Sequence, residues 1–157
     1  MEVIESLIKK NDFIENGCWR KKHYLVNEEI VTEGDSNKTI YYITRGAVRV
    51  LGTIAVNDYK RMRPGVCDLA AGEIFGELSL FDQAPRSATV VCIEDCDVVE
   101  IDGEKLLSYL QNNTDIGYEF MNNLMLLMVK RLRNSNQKIF SLFSWGLKAH
   151  QIDAHIV

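Results

Sequence analysis

The stretch GEIFGELSLFDQAPRSATV, residues 72–90, places Glu77, Asp82 and Arg86 inside an otherwise apolar run and decides how this chain is read. Gly76 follows the strand-like GEIF and permits close backbone approach. The residues after it can form one helical turn, whose unpaired amide N–H groups and dipole favour an anion. Further on, the Arg86 guanidinium offers a planar fork for two oxygens of a phosphate. Pro85 restricts the chain before it, while Ser87 and Ala88 are small enough for a ligand to lie close to the backbone, with the Ser87 hydroxyl adding a hydrogen bond. Glu77 would repel an anion, so it must face neutral donors such as sugar hydroxyls. Together these groups suit a nucleotide of modest charge.

Outward from this stretch, short apolar runs fill Tyr24 to Ile101 (LVNEEIVTEG, TIYYITRGAVRVLGTIAV, GVCDLAAGEIF, SATVVCI and CDVVEID), broken by Gly, Asn, Asp or Pro. That punctuation predicts short strands in a sandwich or barrel, with sharp corners at Gly34-Asp35 and Arg45-Gly46. A jelly roll built from such strands has a concave interior fit for a small ligand.

Helical patterns flank the strands. Val3, Ile4, Leu7 and Ile8 predict a short amphipathic helix over residues 2–10, with Lys9 and Lys10 in its last turn. Asp102 is placed to cap a helix carrying Leu106, Leu107 and Leu110 and ending at Asn112-Asn113. A longer helix is expected from about Asp115 to about Trp145, because no proline interrupts it and Met125, Met128, Leu132, Ser135, Ile139 and Leu142 form a heptad seam. The seam predicts a parallel homodimer. Ser135 and Asn136 are polar there and need partners. The expected division is 1–114 for the strand-rich domain with its short helices, 115–146 for the long helix packing on the barrel and a second subunit, and 147–157 for a tail.

The residues Phe75-Gly76-Glu77-Leu78-Ser79-Leu80 and Pro85-Arg86-Ser87-Ala88-Thr89 resemble the phosphate-binding cassette of cyclic nucleotide-binding domains. Glu33-Gly34-Asp35, Tyr42-Ile43, Gly46, Val48 and the long C-terminal helix follow the same family in order, so the resemblance covers roughly residues 10 to 145. It implies an α+β, mainly β fold: a double-stranded β-helix (jelly-roll) barrel with a short N-terminal helix and C-terminal helices, including a long dimerisation helix. It also implies that the barrel holds cAMP or cGMP, with Arg86 on the cyclic phosphate and Glu77 on the ribose 2′-hydroxyl. Ser135 and Asn136 match a polar pair that contacts the purine in the bacterial catabolite-activator branch. Ser87 resembles the cAMP-binding branch, where relatives with Thr often favour cGMP. The candidate ligand-binding set is therefore Phe75, Gly76, Glu77, Leu78, Ser79, Pro85, Arg86, Ser87, Ala88, Ser135 and Asn136.

Composition narrows the output. With 157 residues, of which 46% are hydrophobic and 25% charged, the chain can bury a core of its own. A net charge of -4 argues against a nucleic-acid surface. The basic runs Arg20-Lys21-Lys22 and Lys60-Arg61-Met62-Arg63 read as solvated strand ends. No apolar stretch suits a membrane span, and MEVIESLIKK lacks a signal-peptide hydrophobic region, so a cytoplasmic protein is expected. Cys18, Cys67, Cys92 and Cys96 form no CxxC pair and read as buried thiols. His23, His150 and His155 form no metal-ligand pattern and read as surface residues, so no metal or cofactor is expected. The cassette supplies binding groups without a candidate for water activation, which argues against an enzyme. Only GLKAHQIDAHIV follows Trp145, too short for a helix-turn-helix, so direct DNA binding is not expected. These features point to a cyclic nucleotide sensor with an unknown downstream protein partner. The alternatives are a cGMP sensor and a degenerate domain used for protein interaction or dimerisation.

Overall fold

The structure is a computed structural model that describes residues 2–15, 17–57, 60–82 and 84–149. His150 and His155 lie outside the described residues. In chain order the elements are α1 (Glu2–Leu7), α2 (Asn11–Glu15), β1 (Trp19–Tyr24), β2 (Glu29–Val31), β3 (Thr39–Arg45), β4 (Ala47–Leu51), β5 (Ile54–Asn57), β6 (Lys60–Met62), β7 (Gly65–Ala70) and β8 (Ile74–Phe75). A 3-10 turn follows at Glu77–Leu80, then β9 (Thr89–Cys92), β10 (Cys96–Asp102), α3 (Gly103–Asn112) and α4 (Thr114–Ala149). The chain divides into two compact units, residues 1–117 and 118–157.

In the first unit, two four-stranded antiparallel sheets run in the orders β1-β10-β3-β8 and β2-β9-β4-β7, and β5 and β6 form a hairpin. One hydrophobic cluster draws on both sheets: Tyr24, Tyr41, Ile43, Phe75 and Val98 from the first, Val31, Val48, Leu69 and Val90 from the second. Successive strand residues point to opposite faces. Tyr41 and Ile43 therefore enter this cluster, while Ile40 and Tyr42 face the other way, where the Tyr42 hydroxyl donates to Glu5 of α1. Burial on both faces explains why TIYYI reads as an unbroken apolar run.

Several sequence expectations change in detail. The first helix ends at Leu7, and Lys9 and Lys10 follow it rather than filling its last turn. Their amides bond back three residues, to Ser6 and Leu7, which tightens and ends the helix. Arg20, Lys21 and Lys22 are not a strand end. They sit within β1, an edge strand paired to β10 from Trp19↔Ile101 to Tyr24↔Cys96, where lysines discourage edge-to-edge pairing.

The expected corners are present, with positive φ of 93° at Gly34 and 85° at Gly46. Asp102 caps α3, its Oδ1 accepting from the amides of Glu104 at 3.0 Å and Lys105 at 3.1 Å. Leu106 and Leu110 are buried, and Leu107 is half-buried. Cys18, Cys92 and Cys96 are buried free thiols and Cys67 is half-buried. Burial, with a bond to Cys96, pushes the Cys92 thiol up to about 12.

The second unit consists, as far as it is described, of the remainder of α4. Met125, Leu132, Ile139 and Leu142 of the heptad pattern are exposed, as are Leu126, Phe140, Phe143 and Trp145. Met128 is half-buried. No helix among the described residues is long and apolar enough to cross a membrane.

Candidate functional site

Three segments meet at Arg86, one of them distant in sequence from the other two. The first is the loop from Glu33 to Thr39, the second is the corner from Phe75 to Ser79, and the third is Pro85 to Thr89. Backbone bonds fasten the first to the third: the Gly34 amide donates to the Arg86 carbonyl at 2.9 Å, and the Arg86 amide donates to the Asp35 carbonyl at 2.7 Å. Buried Thr89 adds its Oγ1 as acceptor for the Glu33 amide at 3.1 Å. The Glu33-Gly34-Asp35 turn thus holds the backbone of the arginine.

The Arg86 side chain is only 6% exposed. Its Nη1 donates to the Gly76 carbonyl at 2.8 Å and to Ser79 Oγ at 2.9 Å. Its Nη2 donates to Asn37 Oδ1 at 2.5 Å and to the Thr39 carbonyl. All four acceptors are neutral, while the nearby carboxylates of Glu77 and Asp35 act on the guanidinium through their charge. Nε is buried and has no acceptor among the described residues. Burying a cation is costly unless opposite charge fully offsets it. Burial pulls the Arg86 pKa below its ordinary value, opposed by Tyr41, Glu77 and Asp35. An arriving anion would relieve that cost.

Gly76 makes this packing feasible. Its φ of 80° lies in the left-handed region, and a Cβ would sit 2.8 Å from Arg86 Nη1 and 2.9 Å from the Thr39 carbonyl oxygen. Any side chain here is both strained and in collision. Phe75, paired in register with Tyr41, stacks on it at 4.8 Å between centroids and 6° between planes. Arg86 Cζ lies 6.0 Å from the Tyr41 centroid, at the outer reach of a cation–π contact.

The other candidates are distributed unevenly. Glu77 is buried in the first position of the 3-10 turn. Leu78, Pro85 and Ser87 are exposed, and Ala88 is half-buried. Ser79 is buried, and besides accepting from Arg86 its hydroxyl donates to the Gly76 carbonyl at 2.8 Å. Ser135 and Asn136 are exposed on α4, in the second unit.

Asn37, Thr39 and Thr89 were not among the residues the sequence singled out for the site. Thr39 acts through its backbone carbonyl, which no side-chain pattern marks, and Asn37 lies in the polar run EGDSNK without a local signal for its partner. A cavity of about 230 Å³ is lined by Ser36, Asn37, Lys38, Ser79, Asp82 and Ala84, two of which, Asn37 and Ser79, bond to Arg86. His23 is exposed, its Nδ1 2.7 Å from Asp97 Oδ1. The described residues contain no group of three or more His, Cys, Asp or Glu side chains able to hold a metal ion.

Comparison with known proteins bears on this geometry. A family model described as "Cyclic nucleotide-binding domain" matches residues 21–113, more than half of the chain. The cAMP-activated global transcriptional regulator Vfr of Pseudomonas aeruginosa is 32% identical over 129 residues, which cover 80% of this chain and 56% of Vfr. The Cyclic AMP receptor protein of Thermus thermophilus is 26% identical, over 77% of this chain and 52% of its own. The chain thus spans about half the length of these curated relatives. Among solved structures, a cyclic nucleotide-binding domain from Methylobacillus flagellatus superposes with a TM-score of 0.71 at 25% identity, covering 82% of this chain and 70% of that one. The Thermus thermophilus Catabolite Activator Protein gives a TM-score of 0.68 at 24% identity, covering 90% and 63%, which supports the fold.

Proposed function

The chain belongs to the cyclic nucleotide-binding domain family, and on that premise we propose that it is a regulatory module that binds cAMP and passes occupancy to α4. One observation carries this reading: a buried guanidinium held by four neutral hydrogen-bond acceptors, with an Nε–H that has no acceptor among the described residues. A cyclic phosphate supplies a single negative charge and acceptor oxygens to match. Arg86 meets the phosphate, and Gly76, Ser87 and Ala88 let it approach the backbone. Glu77 takes a ribose hydroxyl. Phe75, Leu78, Ser79 and Pro85 shape the cassette around it. The two sheets close as a jelly-roll barrel around the ligand.

For the base we assign Ser135 and Asn136, and for the helix a parallel dimer through Met125, Leu132, Ile139 and Leu142. The choice of cAMP rests on Ser87 and on relatives whose names carry cAMP. A ligand shifts an equilibrium only through different affinity for its two states, and Ser135 and Asn136 supply that difference. The chain performs no bond cleavage in this reading, needs no metal, and acts in the cytoplasm on a protein partner rather than on DNA.

Ligand-linked stabilisation tests the ligand class. At a hundredfold excess over Kd, a nucleotide binding only the folded state stabilises it by about 2.7 kcal/mol. A rise in melting temperature with cAMP, larger than with cGMP at equal concentration, is expected. No rise with either would refute the proposal. For transmission, Ser135→Ala with Asn136→Ala should abolish the ligand-dependent change in amide exchange along α4, and an unaltered change removes the relay.

A further inference from the structure

A guanidinium has five N–H donors. In this protein four of them are engaged by groups that hold it from two sides: Gly76 and Ser79 on Nη1, Asn37 and Thr39 on Nη2. Two of the four acceptors are backbone carbonyls, which follow from the fold. The other two are side-chain oxygens, which the sequence chose. Asn37 differs from the rest of the set because its residue is exposed and no secondary structure or core contact requires an amide there. Its Oδ1 nonetheless reaches Nη2 at 2.5 Å across a separation of 49 positions.

We propose that Asn37 and Ser79 are positioning residues for nucleotide binding: their side-chain oxygens fix the plane of the Arg86 guanidinium that the incoming phosphate meets. The role rests on the nucleotide reading above and adds residues to it. Ser79, expected from the sequence to touch the ligand, acts through Arg86 instead. Its hydroxyl proton goes to the Gly76 carbonyl, so the oxygen is oriented as an acceptor for Nη1. Without these acceptors the guanidinium could rotate out of place, and two of its donors would be left unpaired while buried, a state that costs stability and precision alike. Asn37 and Ser79 both line the 230 Å³ cavity, so truncation of either enlarges that space next to a group that holds the guanidinium.

The test is calorimetric titration of cAMP and of cGMP into wild type, Asn37→Ala, Ser79→Ala and Ser79→Thr, each repeated in an R86K background. Asn37→Ala should weaken binding about tenfold, the scale of one hydrogen bond to a charged group. Its melting temperature without ligand should fall modestly, because the truncation leaves one donor of the buried guanidinium without its acceptor. Ser79→Ala should weaken binding by a similar factor, and Ser79→Thr, which keeps the hydroxyl, should restore it. A lysine ammonium has no plane to fix, so the Asn37→Ala effect should shrink to less than about twofold in R86K. Wild-type affinity in Asn37→Ala overturns the positioning role, as does an undiminished loss in R86K. Absence of binding by the wild-type protein overturns the nucleotide reading itself.

Discussion

The corner around Arg86 and the exposed length of α4 use their polar and apolar groups in opposite ways. At the corner, residues from three sequence segments meet and nearly every hydrogen-bonding group of the arginine is engaged inside the fold. On α4, Met125, Leu126, Leu132, Ile139, Phe140, Leu142, Phe143 and Trp145 stand exposed. So large an exposed apolar set marks an interaction surface. The contrast separates a site built within one chain from an apolar surface that stands open.

Gly76 offers the largest way to break the first region. Gly76→Ala forces a left-handed residue, about 1–3 kcal/mol of strain, and drives a Cβ into Arg86 and the Thr39 carbonyl. Chemical denaturation should show a loss at the upper end of that range, and nucleotide affinity should fall with it. On the second region, Leu132→Asp should convert a dimer into a monomer in sedimentation equilibrium, since burial of each leucine contributes about 2 kcal/mol. Melting of the strand-rich unit should be unaffected. A wild-type protein that sediments as a monomer would refute the proposed dimer.

Glu100 sharpens the picture of a self-contained first unit. Its buried carboxylate accepts from Tyr24 Oη and Arg20 Nε, both at 2.6 Å. Burial would raise its pKa, but the bonds from Tyr24 and Arg20 and the charges of Arg20 and Lys22 outweigh it and hold the carboxyl below its ordinary 4.5. A depressed folded-state pKa contributes stability that is complete above 4.5 and is lost as pH falls through the lower folded value. Glu100→Gln should cost about 1.5 kcal/mol at neutral pH and flatten the acid limb of a stability–pH curve. Removal of the α3 cap by Asp102→Ala has the smallest effect, about 1 kcal/mol by denaturant titration.

Sequence and structure agree where chemistry is local. The cap at Asp102, the corners at Gly34 and Gly46 and the turn after Gly76 are set by residues within a few positions of one another, so they can be read from the string. What escaped was set at a distance. Asn37 reaches Arg86 across 49 positions, and Thr89 meets Glu33 across 56, so neither could be assigned from its neighbours. β1 was misjudged for a related reason: Arg20, Lys21 and Lys22 look like a solvated strand end until β10 supplies a partner strand and Glu100 a counter-charge. Lys9 and Lys10 suited a helix end by charge, but the chain turned after Leu7 to begin α2.

In the proposed reading the buried Arg86 guanidinium receives a cyclic phosphate. Calorimetric titration of cAMP into wild-type and Arg86→Ala protein tests it most directly. One nucleotide per chain should bind the wild type, and the variant should lose on the order of 2–5 kcal/mol, the cost of removing one partner of a buried charge pair. Equal affinity in the two proteins, or no binding by the wild type, would contradict it.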